Sequence, residues 1–377
     1  MPNLSDLRAQ ALALVSQIAE RGSAELHYLQ KMISSGAFGL EPPQNYAALV
    51  ADIRRWGEVG MIPALNARRT PHRTALIDDE GSMTFRELDE ASHAVANGLL
   101  AMGVKGGDGV AILARNHRWF LIANYAAARV GARTILLNTE FSGPQIRDVA
   151  AREGGKVIIY DDEYTDAVKL AEAPLGKLRA LGSNPDTNTP SGSTDETLAE
   201  LIARSSKAPA PKATKRSSIV ILTSGTTGTP KGANRHAPPT LAPIGGVLSH
   251  VPFKANEVTS LPSPMFHALG YLHATIAMTL GSTLVLHRRF RPQTVLEDVA
   301  KHKVTAIVVV PVMLSRMIDA LEKMEPRPDL SSLRIIFVSG SQLGAELATR
   351  AMKEIGPVVY NLYGSTEIAF VSIARPQ

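Results

Sequence analysis

Apolar residues near the N-terminus recur at helical spacing. Leu4, Leu7, Ala11, Leu14 and Ile18 follow one another at steps of three and four, and Gly22 ends the run, which predicts an amphipathic helix. From about residue 73 the pattern changes to short apolar runs. These predict strands over 74–77, 109–114, 133–137 and 156–160, with helices beginning near Thr84, Arg118 and Ser142. Strands that alternate with helices predict an α/β fold with mostly parallel sheets and helical crossovers.

Between about Gly182 and Ser217 the chain turns to Ser, Thr, Pro, Lys and Asp, punctuated by Pro185, Pro190, Pro209 and Pro211. One short helix is expected there, over 196–204. Beyond it the alternation resumes, with strands expected over 218–222, 304–310, 333–338 and 357–362, and helices over 312–324 and 343–355. The expected organisation is an N-terminal helical extension over 1–60, a first α/β half over 61–181, a flexible linker or lobe boundary over 182–216, and a second α/β half over 217–377. No internal repeat at solenoid periods is visible.

From Val258 to His287 there is no Asp, Glu, Lys or Arg, which is long enough to cross a bilayer. Pro262, Pro264 and the Gly281-Ser282 pair break the stretch, and His267 and His273 interrupt its apolarity. It reads as a loop, a buried helix over 268–280 and a strand over 283–286.

Composition narrows the function classes. The 377 residues are 45% hydrophobic, enough for a large core and too many for one ordinary domain. A formal charge of +5 is modest for this length, and pairs such as Arg54-Arg55, Arg68-Arg69 and Arg288-Arg289 are scattered. They read as solvated surface, and no nucleic-acid partner is expected. The chain has no cysteine, which removes disulfides, zinc-thiolate sites and cysteine nucleophiles and fits a reducing cytoplasm. Asp6 and Arg8 stand where a secretory signal would need an apolar run.

In open parallel sheets, ligands bind outside the carboxyl ends of the strands. That rule picks out four loops on one rim: 223–232, the turn at Pro311, 339–342 and 363–367. The first reads Thr223-Ser224-Gly225-Thr226-Thr227-Gly228-Thr229-Pro230-Lys231-Gly232. Its glycines let the backbone approach a polyanion, its hydroxyls add donors, and Lys231 adds a point charge. It is not a Walker loop, because Pro230 precedes the lysine and Gly232 follows it.

This loop resembles the phosphate-loop signature of the adenylate-forming (acyl-activating, AMP-binding) superfamily. Pro264-Met265-Phe266-His267 resembles the aromatic-His segment of its acyl-CoA synthetases, and Asn361-Leu362-Tyr363-Gly364-Ser365-Thr366-Glu367 resembles its Tyr-Gly-x-Thr-Glu motif. The resemblance extends from about residue 60 to the C-terminus, with the three motifs in the family's order. It implies ATP, Mg2+ and, as co-substrate, coenzyme A. Thr223 and Glu367 would hold the metal, while Ser224, Gly225, Thr226, Thr227, Gly228 and Lys231 would cradle the β- and γ-phosphates. Gly340, Asn361, Tyr363 and Gly364 belong to the implied nucleotide site, with Gly340 and Tyr363 flanking the adenine; Thr366 would touch the α-phosphate. His267 would line the acyl and nucleotide cavity. Lys231, His267 and Glu367 are thus the implied catalytic set.

Two positions depart from the pattern. Leu222 stands where many members have Tyr, and Ser341-Gln342-Leu343 stands for Gly-Ala-Pro; both are expected to alter the adenine pocket's lining. Ten residues follow Glu367, without the family's Thr-Gly-Asp motif, hinge or small domain with its catalytic lysine. The expectation is therefore activation of a carboxylic acid to acyl-adenylate and then acyl-CoA in a complete enzyme, and nucleotide binding without turnover in residues 1–377 alone. A catalytically dead nucleotide- or acyl-binding remnant, or a fatty-acyl-AMP ligase or other member of the superfamily, stays open as the alternative. The acid is expected to be an apolar, fatty chain, since relatives that activate amino acids use an aspartate near the Phe266-His267 segment and none occurs here. An ammonium buried without a carboxylate would cost several kcal/mol. Met265, Phe266, Leu269, Tyr271, Leu272 and Ile276 are the apolar lining candidates. Fatty acids would also favour peripheral membrane contact, although no anchor is visible; the oligomeric state stays open.

Overall fold

The computed structural model describes residues 22–37, 43–181, 183–184, 189–190, 192–223, 231–234, 241–364 and 371–376. The helix expected over 4–18 lies outside them. Among the described residues two large sheets form, both parallel in their interiors. The first has eight strands, in the order Ser372–Ala374, Val359–Tyr363, Ile335–Val338, Ala306–Val309, Val258–Ser260, Thr283–Val285, Thr74–Asp78 and Gly81–Thr84. Its two edge strands are antiparallel to their neighbours. The second has six strands, in the order Lys231–Asn234, Ser218–Thr223, Arg133–Leu136, Gly109–Leu113, Gly155–Tyr160 and Gly176–Arg179, with only Lys231–Asn234 antiparallel.

Sheet membership does not follow the expected division into halves. Thr74–Asp78 lies outside the sheet of Gly109–Leu113, Arg133–Leu136 and Gly155–Tyr160 and pairs with Thr283–Val285, Leu76 opposite Leu284. Ser218–Thr223 crosses the other way and pairs with Arg133–Leu136, Ile135 opposite Val220. Strands buried on both faces are uniformly apolar, so periodicity marks each strand without marking its neighbour. Val258–Ser260, expected as loop, is a strand between Thr283–Val285 and Ala306–Val309. At three residues it is too short to show an alternation.

Local chemistry explains the helix starts. Thr84 begins Phe85–Ala101 with a capping box: its hydroxyl accepts from Glu87 N–H while the Glu87 carboxylate accepts from Thr84 N–H. Ser142 with Gln145 and Thr197 with Glu200 repeat the device. The last of these starts Leu198–Arg204, whose Leu198 and Leu201 are fully buried. Beyond it the Ala210 carbonyl accepts from the Trp56 indole at 3.0 Å. The described part of the expected linker is thus packed onto the body, because its few apolar residues find a core.

The eight-stranded sheet buries alternate residues on opposite faces. Leu284, Ala306, Val308, Ile335 and Phe337 join the cluster around helix Ala268–Thr279. Val285, Ile307, Val309, Ile336 and Val338 pack against helices Pro292–His302, Pro311–Leu321 and Ala345–Ile355. The first cluster continues through helices Phe85–Ala101 and Arg118–Val130 to Val110, Ile112 and Ile159 of the six-stranded sheet. A core that runs through both sheets fixes how their rims meet. Among the described residues no helix is long and apolar enough to cross a membrane.

Candidate functional site

The carboxyl ends of strands from both sheets face each other along a polar seam. Asn116, just past Gly109–Leu113, donates through Nδ2 to the carbonyls of Leu261 and Ser263, both at 2.9 Å, and its Oδ1 accepts from Met265 N–H at 2.8 Å. It thereby holds the segment that leads into Phe266 and His267. Arg118 is bidentate on Asp78, with Nη2 at 2.5 Å from Oδ1. Glu163 accepts from Arg115 at 2.8 Å and from Arg288 at 2.6 Å, and Asp161 lies 2.8 Å from His117 Nε2. Arg288 is therefore buried and paired, not the solvated surface its pairing with Arg289 suggested.

Sequence reading passed over these seam residues, yet they carry a signal. Arg115-Asn116-His117-Arg118, Asp161-Asp162-Glu163 and His287-Arg288-Arg289 each break an apolar strand run with three or more polar residues in a row. At the carboxyl end of a buried strand, such a cluster needs partners when it is covered.

The same seam has a pH-sensitive member. His287 Nε2 lies 2.6 Å from Asp298 Oδ2, and Nδ1 lies 3.6 Å from Asp79 Oδ1. The hydrogen bond to Asp298 and the nearby Asp79 carboxylate push the His287 pKa up to about 9. A raised histidine pKa stabilises the fold fully below the unfolded value near 6.5, and that stabilisation is lost as pH rises through the folded value. The stability gap between wild type and His287→Gln should accordingly be largest at pH 6 and close by pH 9. Urea unfolding at both pH values checks this.

Three of the four expected loops start on one rim. Ala306–Val309, Ile335–Val338 and Val359–Tyr363 are adjacent and parallel, so the turn at Pro311, loop 339–342 and Gly364 lie side by side. The fourth is a correction, because loop 223–232 leaves Ser218–Thr223, a strand of the other sheet. It starts on the same rim of that sheet as Asn116. The gathering place is a seam between two rims.

Between loop 339–342, helix Ala345–Ile355 and strand Val359–Tyr363 lies a cavity of about 750 Å³, within the range of small-molecule sites. Gly340, Ser341, Leu343, Met352, Asn361 and Tyr363 are among its lining residues. Ser339 Oγ donates to the Leu362 carbonyl at 3.0 Å and ties the two loops together. Gly340 has φ +98, and an added Cβ would also meet Val310 Cγ1 at 3.1 Å, so a side chain is disfavoured on both counts. Two features fit a purine. Asn361 Oδ1 is buried without a hydrogen-bond partner among the described residues, an acceptor suited to an amino donor. The Tyr363 ring is 71% exposed at the rim, an open stacking face. Tyr363→Ala should weaken ATP binding by about 1–3 kcal/mol, the usual worth of a base–aromatic stack; calorimetric titration checks it.

His267 caps helix Ala268–Thr279, and its ring packs on Phe266 with centroids 4.4 Å apart. It is exposed at its edge, while desolvation by the surrounding protein holds its pKa below the ordinary histidine value. Of the apolar lining candidates, Met265, Phe266 and Ile276 are buried in the core, and Leu269, Tyr271 and Leu272 are half-buried. Leu222 does not line the cavity: it packs with Val220, Tyr160 and Ile146 in the core beneath the six-stranded sheet. For Thr223 and Lys231 the description stops at a backbone pairing, Lys231 opposite Thr223 across the hairpin. Ser224, Gly225, Thr226, Thr227, Gly228, Thr366 and Glu367 lie outside the described residues, and the metal assignment to Thr223 and Glu367 with them. Gly364, next to Tyr363, lines the cavity.

Two mainly parallel sheets, a cavity on one rim and the three motifs fit the body of an adenylate-forming enzyme. The chain belongs to the family of AMP-binding enzymes, whose family model matches residues 64–377. It is 31% identical over 319 residues to a feruloyl-CoA synthase of Amycolatopsis, covering 82% of this chain and 60% of that protein. It is 28% identical over 310 residues to a 4-hydroxybenzoate–CoA/benzoate–CoA ligase of Rhodopseudomonas palustris, covering 80% of this chain and 56% of that one. The chain therefore spans less than two thirds of the length of these relatives. The N-terminal domain of FACL13 from Mycobacterium tuberculosis shares the fold, with a TM-score of 0.69 at 22% identity over 82% of this chain and 76% of that one. Adenylate-forming CoA ligases use ATP, Mg2+ and coenzyme A.

Proposed function

We propose that this protein contributes the nucleotide- and acid-binding body of an enzyme that joins a carboxylic acid to ATP, giving acyl-adenylate and pyrophosphate, and passes the acyl group to coenzyme A. The observation that carries the reading is the cavity with its buried Asn361 acceptor, unpartnered among the described residues, and open Tyr363 ring, on the strand that leads into Gly364, Thr366 and Glu367. Adenylation needs charge on the phosphates neutralised as the carboxylate attacks. Lys231 supplies a cation on the hairpin next to the phosphate loop, and Thr223 with Glu367 would hold the magnesium ion. That ion, when bound, screens the phosphate oxygens. His267 stands at the N-terminus of helix Ala268–Thr279, along which the acid would lie.

The acid is apolar on this reading. The half-buried Leu269, Tyr271 and Leu272 support it, as does the absence of any Asp or Glu over 258–287. The sequence alone pointed to a fatty chain; the ferulate and benzoate named for the relatives favour an aryl acid. A pyrophosphate-release assay on the full-length protein, run with aryl, fatty and amino acids, tests the substrate class. Preference for amino acids would refute it. Lys231→Ala should weaken ATP binding by about 1–3 kcal/mol, since backbone donors of the loop remain.

A further inference from the structure

The family match begins at residue 64, yet helix 22–34 packs on a neighbour of the helix that follows His267. Its target is helix Ala242–His250, which packs on helix Ala268–Thr279, the helix that His267 caps. The Glu25 carboxylate accepts from Leu241 N–H at 2.9 Å, at the start of that helix, where a negative charge also suits the helix dipole. One turn on, Gly245 sits so close to Tyr28 that an added Cβ would lie 2.3 Å from the Tyr28 Cβ. His27 Nε2 lies 3.2 Å from Ser249 Oγ near the far end. The contact thus runs the length of helix Ala242–His250. The end that Glu25 holds carries Leu241 and Ile244, half-buried against the same core cluster as Leu269, Tyr271 and Leu272. The other end meets Arg375, a residue of the nucleotide cavity, with Arg375 Nη2 at 2.6 Å from His250 Nδ1.

We infer that helix 22–34 is a positioning element of the acid site: through Glu25 and Tyr28 it fixes helix Ala242–His250 against helix Ala268–Thr279 and sets how tightly the apolar end of the acid is held. The inference rests on the acid-activating reading. It concerns the acid and not ATP, because the end that Glu25 holds packs in the cluster of Leu269, Tyr271 and Leu272, whereas Arg375 of the cavity meets the opposite end at His250. Glu25 and Tyr28 are positioning residues and touch no substrate.

The test uses Glu25→Ala and Glu25→Gln in the full-length protein, since glutamine keeps an acceptor for Leu241 N–H. Two quantities are read: amide hydrogen exchange over 241–246, and KM for benzoate, ferulate and ATP from pyrophosphate release. Glu25→Ala should speed exchange and raise the acid KM about fivefold, the scale of a lost helix cap, with the ATP KM within about twofold. Glu25→Gln should restore both. Unchanged exchange, faster exchange with an unchanged acid KM, or an ATP KM that rises in step would each overturn the inference. A wild-type protein that releases pyrophosphate with no acid sinks the acid-activating reading, and the inference with it.

Discussion

Asn116→Ala is expected to destabilise the protein by about 3–5 kcal/mol, because it strands three buried backbone groups at once. Asn116 uses both amide protons on the carbonyls of Leu261 and Ser263 and its oxygen on Met265 N–H. The residue is only 4% exposed, so water cannot readily replace it. A buried group left without a partner costs about 1–3 kcal/mol, and local relaxation keeps the sum below three full penalties. Asn116→Asp is the informative companion: it keeps an acceptor for Met265 N–H and sets a carboxylate against two carbonyl oxygens. Urea unfolding midpoints measure both. An alanine variant within about 1 kcal/mol of wild type would show that the seam is held elsewhere. Since Met265 precedes Phe266 and His267, the acid KM should rise even where the variant folds.

Glu367→Ala should lower acid-dependent pyrophosphate release by about 10²–10³-fold, the usual range for loss of a group that stabilises transition-state charge. Magnesium favours one or two carboxylates together with phosphate oxygens, and Glu367 is the carboxylate of the segment that follows Tyr363. Its strand, Val359–Tyr363, ends beside loop 339–342 at the candidate nucleotide cavity. A magnesium titration should show the variant's half-saturation point shifted upward. ATP affinity measured without magnesium should stay near wild type. A variant that keeps wild-type rates at saturating ATP and magnesium would remove Glu367 from the metal site.

Much of the fold was legible because each signal was local. Helices were expected to begin near Thr84 and Ser142, and these are the observed N-caps. The apolar runs over 109–114, 133–137, 156–160 and 218–222 marked strands within a residue or two of Gly109–Leu113, Arg133–Leu136, Gly155–Tyr160 and Ser218–Thr223. Gly340, Asn361 and Tyr363 were implied by the family resemblance, and they line one cavity.

By itself the sequence determined which segments become strands and helices, which loops carry glycine, hydroxyl and aromatic residues, and which family the chain joins. Those are properties of short stretches: spacing, turn chemistry and motif. The tertiary structure alone decided that Thr74–Asp78 and Ser218–Thr223 exchange sheets, that Leu222 is core, and that Arg288 is buried on Glu163. It alone made Asn116 the fastener between the two rims and brought Glu25 against Leu241. Pairing between distant strands depends on which apolar faces close the core together, and many partners look alike to a local pattern. A polar side chain's role depends on what surrounds it once water is gone, and only the packed chain sets that.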